Sequence, residues 1–254
     1  MDAGITMNDI YPDSKKAQDR LVSPYIYWVL RPVSFGVSRW LANQGVTAMQ
    51  CTAASALVLL AGLFLMVAGP ALGLSTYMGM FLGAVLINFY VYLDVVDGNI
   101  ARIAGSSSSA GEFADSTVNV FAGFSMPVAA GLGVYWYGGG FVTDVGWFTA
   151  ELALGMGLVI GYCRLFRRVV YDKLNDLAGG DRFSILGNKQ PSGKVSAFAY
   201  IAALVNSGVY PFLLVAAVFN AVVFWLLVYF VFNILVVCYV LVTGFNKTNR
   251  SAIS

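Results

Sequence analysis

Tyr92-Leu93-Asp94-Val95-Val96-Asp97-Gly98-Asn99-Ile100-Ala101-Arg102 closes one long apolar run, and Gly111-Glu112-Phe113-Ala114-Asp115-Ser116-Thr117-Val118-Asn119 opens the next. Asp94 and Asp97 are three residues apart, so on a helix they share a face. Asp115 and Asn119, four apart, share another. A short Ser-rich turn joins the two stretches, so these faces can meet just inside the apolar layer. Carboxylates at such depth cost several kcal/mol unless they are paired or bind cations.

The surrounding chain makes that layer a membrane. Of 254 residues, 59% are hydrophobic and 11% charged, and the mean hydropathy is +0.74. A soluble domain of this length carries about 25% charged residues. The net charge of +2 says little about partners, and nothing points to nucleic acid. Six stretches are long and apolar enough to cross a bilayer, near 47–70, 76–97, 113–136, 145–165, 195–217 and 220–243. The connections at Gly69-Pro70, at Gly138-Gly139-Gly140 with Asp144, and at Phe219-Asn220 carry no Lys or Arg. All fifteen basic residues fall on the other side. The positive-inside rule places that side, with both termini, in the cytoplasm. The expected fold is thus an all-α integral membrane protein of six transmembrane helices. Residues 1–45 form a cytoplasmic N-terminal segment, 46–243 the membrane domain and 244–254 a cytoplasmic tail. In a bacterium the membrane is the inner, plasma membrane.

Within the first segment, Ile26, Val29, Leu30, Val33, Val37, Trp40 and Leu41 recur at helical spacing, with Arg31, Ser34 and Ser38 on the other face. This predicts an amphipathic helix over 25–41 lying in the interface, which Pro32 either starts or kinks. The polar, acidic first twenty residues do not resemble a signal peptide. The chain has no histidine, which excludes His triads and His-ligated zinc or haem. Cys51, Cys163 and Cys238 stand far apart in apolar stretches and read as small buried residues.

Three facing carboxylates would repel one another, and a hard divalent cation neutralises them. Oxygen-only ligation by Asp94, Asp97 and Asp115 favours Mg²⁺ or Mn²⁺ over zinc. Gly98 and Gly111 remove side chains where a phosphate could approach, and Arg102 supplies a fixed fork for it. The site implied is a metal-bound pyrophosphate at the membrane surface.

Asp94, Asp97, Gly98, Ala101, Arg102, Gly111 and Asp115 resemble, in identity and spacing, the signature of the CDP-alcohol phosphotransferases. The chain departs from that signature at Asn119, where the family has a fourth Asp. A weaker likeness is Gly45-Val46-Thr47-Ala48-Met49-Gln50-Cys51-Thr52, in which Met49 replaces the family's Asn. The resemblance implies a two-metal site of Asp94, Asp97, Asp115 and the Asn119 position, with Gly98, Ala101, Arg102 and Gly111 around the pyrophosphate of a CDP-ester. It implies attack by a second alcohol with release of CMP, and a homodimer, although no heptad or clean Gly-x3-Gly face supports the latter.

In the family the fourth position is also the general base. Asn keeps an oxygen for a metal but cannot accept a proton at neutral pH. Asn119 is compatible with three accounts: an engineered Asp→Asn change, a natural loss of activity, or transfer of the base role to Glu112, two turns earlier on roughly the same face. Arg164, Arg167 and Arg168 form a basic cluster followed by Lys173, Arg182, Lys189 and Lys194. It reads as positive-inside charge or as an acceptor-phosphate pocket built on Arg164; Ser192-Gly193-Lys194 resembles the Gly-Lys entry of family members that use phosphorylated acceptors, which implies Lys194 as a second contact. Asn88 and Glu151 read as polar residues satisfied by neighbouring helices. The expected reaction moves a phosphatidyl group from CDP-diacylglycerol to a small polar alcohol in phospholipid synthesis. The alternatives are a CDP-amino-alcohol donor with diacylglycerol as acceptor, an inactive CDP-lipid binder, and an ion-coupled transporter. The last has no use for Arg102 and the spaced glycines.

Overall fold

The computed structural model describes residues 23–105, 108–137, 149–177 and 197–251, with Tyr11, Lys16 and Arg20. All secondary structure among them is helical. A π-helical turn, Ile26–Leu30, leads into α1 (Arg31–Asn43). There follow α2 (Ala48–Ala68), a 3-10 turn at Pro70–Leu72, α3 (Thr76–Ala104), α4 (Ser109–Tyr137), α5 (Ala150–Leu177), α6 (Ala197–Ser207), α7 (Val209–Val218) and α8 (Val222–Ser251).

Local chemistry fixes the ends that matter for the site. Thr47 and Gln50 form a capping box at the start of α2, each side chain accepting from the other's backbone N–H. Gly105 ends α3 in the left-handed region, at φ 59°, and returns its N–H to Ala101 and Arg102 carbonyls. Pro32 lies in the first turn of α1, directly after the wide π turn. Proline has no N–H and crowds the carbonyl four residues earlier, and the wider turn accommodates both defects. Pro32 therefore neither begins the helical segment nor breaks it.

Helices α2, α3, α4 up to Trp136 and α8 up to Gly244 are long and apolar enough to cross a membrane. The expected continuous span over 195–217 is instead two helices, Ile201–Ser207 and Val209–Val218, bent by 58° at Gly208, and counts as a fifth span if taken as one. The expected span over 145–165 falls in the first part of α5. That helix runs on through Arg164, Arg167 and Arg168, and it is not among the helices that reach the same apolarity.

Exposed side chains on these helices include Leu57, Phe64, Phe224 and Val242, whereas Thr52, Ser55, Asn88, Asp97, Asn99 and Asn233 are buried. Apolar outside and polar inside is the distribution a bilayer selects. Cys51 is buried and Cys163 partly so. Cys238, expected to be buried, is exposed on α8, where an apolar solvent tolerates it equally well.

α3 is the hub. α2 packs along it most extensively, α1 and α7 lie against other faces, and α4 pairs chiefly with α5. Although a short turn joins α3 to α4, the two touch each other little, and α2 packs on both. They diverge and leave a cleft. The α2–α3 contact is backbone on backbone: a Cβ added at Gly62 would lie 3.0 Å from the Gly83 carbonyl oxygen, and one at Gly83 would lie 2.7 Å from that of Gly62. Helix pairs in lipid gain from such small-residue contacts because close approach is their main attraction. Two Gly-x3-Gly pairs are spent inside the bundle. Gly79 and Gly83 press on α2 and the turn that follows it, while Gly157 and Gly161 of α5 press on the Pro127 and Phe124 carbonyls of α4, so both pairs act within the chain.

Gly83→Val should lower stability in detergent by ~1–3 kcal/mol through overpacking. Gly36→Ala in α1, where an added Cβ meets nothing within 4 Å, should be neutral or slightly stabilising. Thermal unfolding followed by circular dichroism distinguishes the two.

Candidate active site

Asp94, Asp97 and Asp115 converge. One carboxylate oxygen from each lies within 4.8 Å of the others, with Asp97 buried and the other two half-buried. Tyr90, Asp94, Asp97 and Ala101 recur along one face of α3, and Asp115 and Asn119 along one face of α4, so the diverging helices point their acidic faces at one place. From α2, the Thr52 hydroxyl donates to Asp97 Oδ2 at 2.8 Å. Asn119 Nδ2 donates to Asp94 Oδ1 and to Asp115 Oδ1, each at 2.9 Å. Its own Oδ1 accepts the Tyr90 hydroxyl at 2.6 Å.

Beside the carboxylates opens a cleft of about 460 Å³ lined by Thr47, Ala48, Met49, Thr52, Asp97, Gly98, Ala101, Ser108, Gly111, Glu112 and Asp115. Gly98 and Gly111 thus form part of its wall, as their missing side chains suggested. Ser108 Oγ accepts the Gly111 N–H at 3.0 Å and fixes the first turn of α4. Met49 lies where a polar contact was in question, and it offers the cleft a thioether. Glu112 lines the same cleft but stands apart from the three converging carboxylates.

The Arg102 guanidinium lies along Gly98, 3.4 Å from where a Cβ would be, and donates to Asn99 Oδ1 at 2.8 Å. Arg31 of α1 donates to the same oxygen at 2.6 Å. Asn99 Nδ2 in turn donates to Ser34 and Ser38 hydroxyls at 3.0 and 3.1 Å. The polar face of α1 is therefore buried against α3, while Trp28, Val33 and Trp40 are exposed. Arg31, Ser34 and Ser38, expected on the polar face of an interfacial helix, instead meet the motif inside the protein.

The basic cluster divides. The Arg164 guanidinium lies over Gly123, one helical turn beyond Asn119 on α4, with its Nε 3.3 Å from an added Cβ. Arg167 donates to Asn206 at 3.1 Å, and Arg168 to Ser116 at 3.2 Å with an ion pair to Asp172. Lys194, with Ser192 and Gly193, lies outside the described residues, as do Arg182 and Lys189. Asn88 is satisfied as expected, donating to the Ala84 and Tyr210 carbonyls and accepting the Tyr25 hydroxyl. Glu151 is exposed at the start of α5.

Three convergent carboxylates beside a hydroxyl, with neither imidazole nor thiolate among them, suit a hard divalent cation such as Mg²⁺ or Mn²⁺. The sequence profile of the CDP-alcohol phosphatidyltransferases matches residues 45–233. The chain belongs to this family. As a phosphatidyltransferase-family protein with several long apolar helices, it is an integral membrane protein. A phosphatidylinositol phosphate synthase of Streptomyces avermitilis is 33% identical over 90 residues, and the match spans 33% of each chain.

Four residues in contact with the motif residues were not singled out as site residues by the sequence reading: Thr52, Tyr90, Asn99 and Arg31. Tyr90 sits one turn before Asp94 on the same face and Asn99 lies inside the motif itself, so both had a local signal. Thr52 and Arg31 act across helix contacts that no local pattern displays. Asn99→Leu removes the acceptor shared by Arg31 and Arg102 and should weaken Mg²⁺-dependent CDP binding by about tenfold or more. Isothermal titration in detergent, compared with an exposed control such as Leu57→Ala, checks this.

Proposed function

We propose that this chain transfers a phosphatidyl group from CDP-diacylglycerol to a small polar alcohol that carries a phosphate, releasing CMP. The observation that carries the reading is the convergence of Asp94, Asp97 and Asp115 beside a cleft walled by Gly98 and Gly111. A CDP pyrophosphate needs both features, a fixed counter-charge and room for close approach. A bound Mg²⁺ or Mn²⁺ on the three carboxylates supplies charge neutralisation for the pyrophosphate.

The chain's own residues account for the rest. Arg102, aligned by Asn99, holds a pyrophosphate oxygen. Gly98, Ala101 and Gly111 leave space for the nucleotide phosphates. The acceptor hydroxyl attacks the phosphorus that carries diacylglycerol, the bond from that phosphorus to the CMP phosphate oxygen breaks, and CMP departs with the electron pair. The hydroxyl proton passes to Glu112, the cleft carboxylate outside the cluster, because the Asn119 amide cannot accept it. Arg164, beside Gly123 and within the bundle, takes the acceptor phosphate. The Streptomyces relative, named as a phosphatidylinositol phosphate synthase, supports a phosphorylated acceptor and a lipid donor over a soluble CDP-amino-alcohol.

The membrane arrangement belongs to the same proposal. Six spans comprise α2, α3, α4, the first part of α5, the broken pair α6–α7, and α8. Residues 46–243 form the catalytic unit, with α1 in the interface and the cleft, the termini and the tail on the cytoplasmic side. The second reading is a CDP-lipid binder without chemistry. It rests on one observation, the amide at position 119.

Radiolabelled CDP-diacylglycerol in mixed micelles, offered inositol phosphate, glycerol phosphate, inositol and serine, should release CMP with a phosphorylated acceptor. Tight CDP binding with no CMP release in any arm would favour the binder, and turnover of CDP-ethanolamine with diacylglycerol would reverse the donor assignment. Glu112→Gln should lower turnover by about 10²-fold or more while CDP affinity holds. Arg164→Ala should raise the acceptor KM without changing CDP-ester affinity, and equal loss for both substrates would reduce Arg164 to surface charge.

A further inference from the structure

The amide at the fourth motif position is held in one orientation. Asn119 Nδ2 spends its two hydrogens on Asp94 Oδ1 and Asp115 Oδ1, both at 2.9 Å. Its Oδ1 is taken by the Tyr90 hydroxyl at 2.6 Å. An amide nitrogen has no lone pair to offer a metal, so the group that faces Asp94 and Asp115 is a donor and not a ligand. Its hydrogens lie between two carboxylates and offset part of their repulsion, which is the task a bridging cation would otherwise perform.

Turning the amide over would point its oxygen at two carboxylates and end both of those bonds. It would also strip the Tyr90 hydroxyl of its acceptor. That side chain is 1% exposed; its hydroxyl could accept from the turned nitrogen, but its own hydrogen would be buried without an acceptor. The orientation is therefore enforced from the far side by a residue outside the motif.

The geometry points to a site that takes one divalent cation per chain, not two. Tyr90 is the positioning residue that keeps the Asn119 nitrogen toward Asp94 and Asp115. Asp97 and the carboxylate oxygens that Asn119 does not occupy would hold that cation. This inference rests on the phosphatidyltransferase reading, since it concerns how many cations accompany the CDP pyrophosphate.

The test counts metal instead of product. The full chain in detergent micelles, saturated with CDP, is titrated with Mn²⁺ while free Mn²⁺ is followed by electron paramagnetic resonance. One tight equivalent per chain is expected. Asn119→Asp restores a fourth carboxylate and should bind two. Tyr90→Phe frees the amide to turn its oxygen inward and should add a second equivalent at least tenfold weaker than that of Asn119→Asp. Two tight equivalents in the unaltered chain overturn the inference and leave the phosphatidyltransferase reading intact. One equivalent in Tyr90→Phe alongside two in Asn119→Asp overturns the role given to Tyr90. No Mn²⁺ binding and no metal-dependent CDP binding overturns this inference and the underlying reading together.

Discussion

Like charge crowded into an apolar bundle is the constraint around which the structure is arranged. Asp94, Asp97 and Asp115 lie within 4.8 Å of one another, and at that spacing each charged pair repels by several kcal/mol at the effective dielectric of a protein interior. Donors on three helices answer this: Thr52 from α2, Tyr90 from α3 acting through the amide, and Asn119 from α4. For those donors to reach, the helices must approach closely and hold still. The backbone-on-backbone contacts at Gly62 and Gly83, and at Gly157 and Gly161, meet that need. Small residues far from the chemistry are in this sense part of it.

The same logic reaches the N-terminal helix. α1 turns an Arg and two Ser inward and, with the π turn before it, leaves Trp28, Val33 and Trp40 outside. In water this would be an inverted helix. Asn99 takes the polar face, and the exposed aromatic side has the character that lipid accepts. One neutral amide oxygen then accepts from two guanidinium groups, Arg31 from α1 and Arg102 from the motif. The N-terminal helix and the motif arginine are consequently braced by one side chain.

Much of the site was legible because its residues lie close in sequence on two helices. The three-residue and four-residue spacings place Asp94 with Asp97, and Asp115 with Asn119, whatever the rest of the bundle does. Gly98 and Gly111 were readable for the same reason, being local absences of side chain. Tertiary partners were not legible: Thr52 reaches Asp97 across 45 residues and Arg31 reaches Asn99 across 68. A hydropathy pattern also passes straight over a bend. Residues 195–217 read as one span because Ser207-Gly208 lowers the average too little to register, yet the helix turns there by 58°.

That bend is braced by side chains from two other helices. Carbonyls flanking it are reached by side chains from elsewhere: Val205 by the Tyr229 hydroxyl, Val209 by the Trp225 indole and Tyr210 by the Asn88 amide. Asn88 precedes the bend in the chain, but Trp225 and Tyr229 follow it, on α8. In hydrocarbon, where water cannot stand in, a carbonyl without a donor costs several kcal/mol. The angle of the break is thus held from two sides, by a residue of α3 that precedes it and by two residues of α8 that follow it, like a keystone between neighbouring blocks.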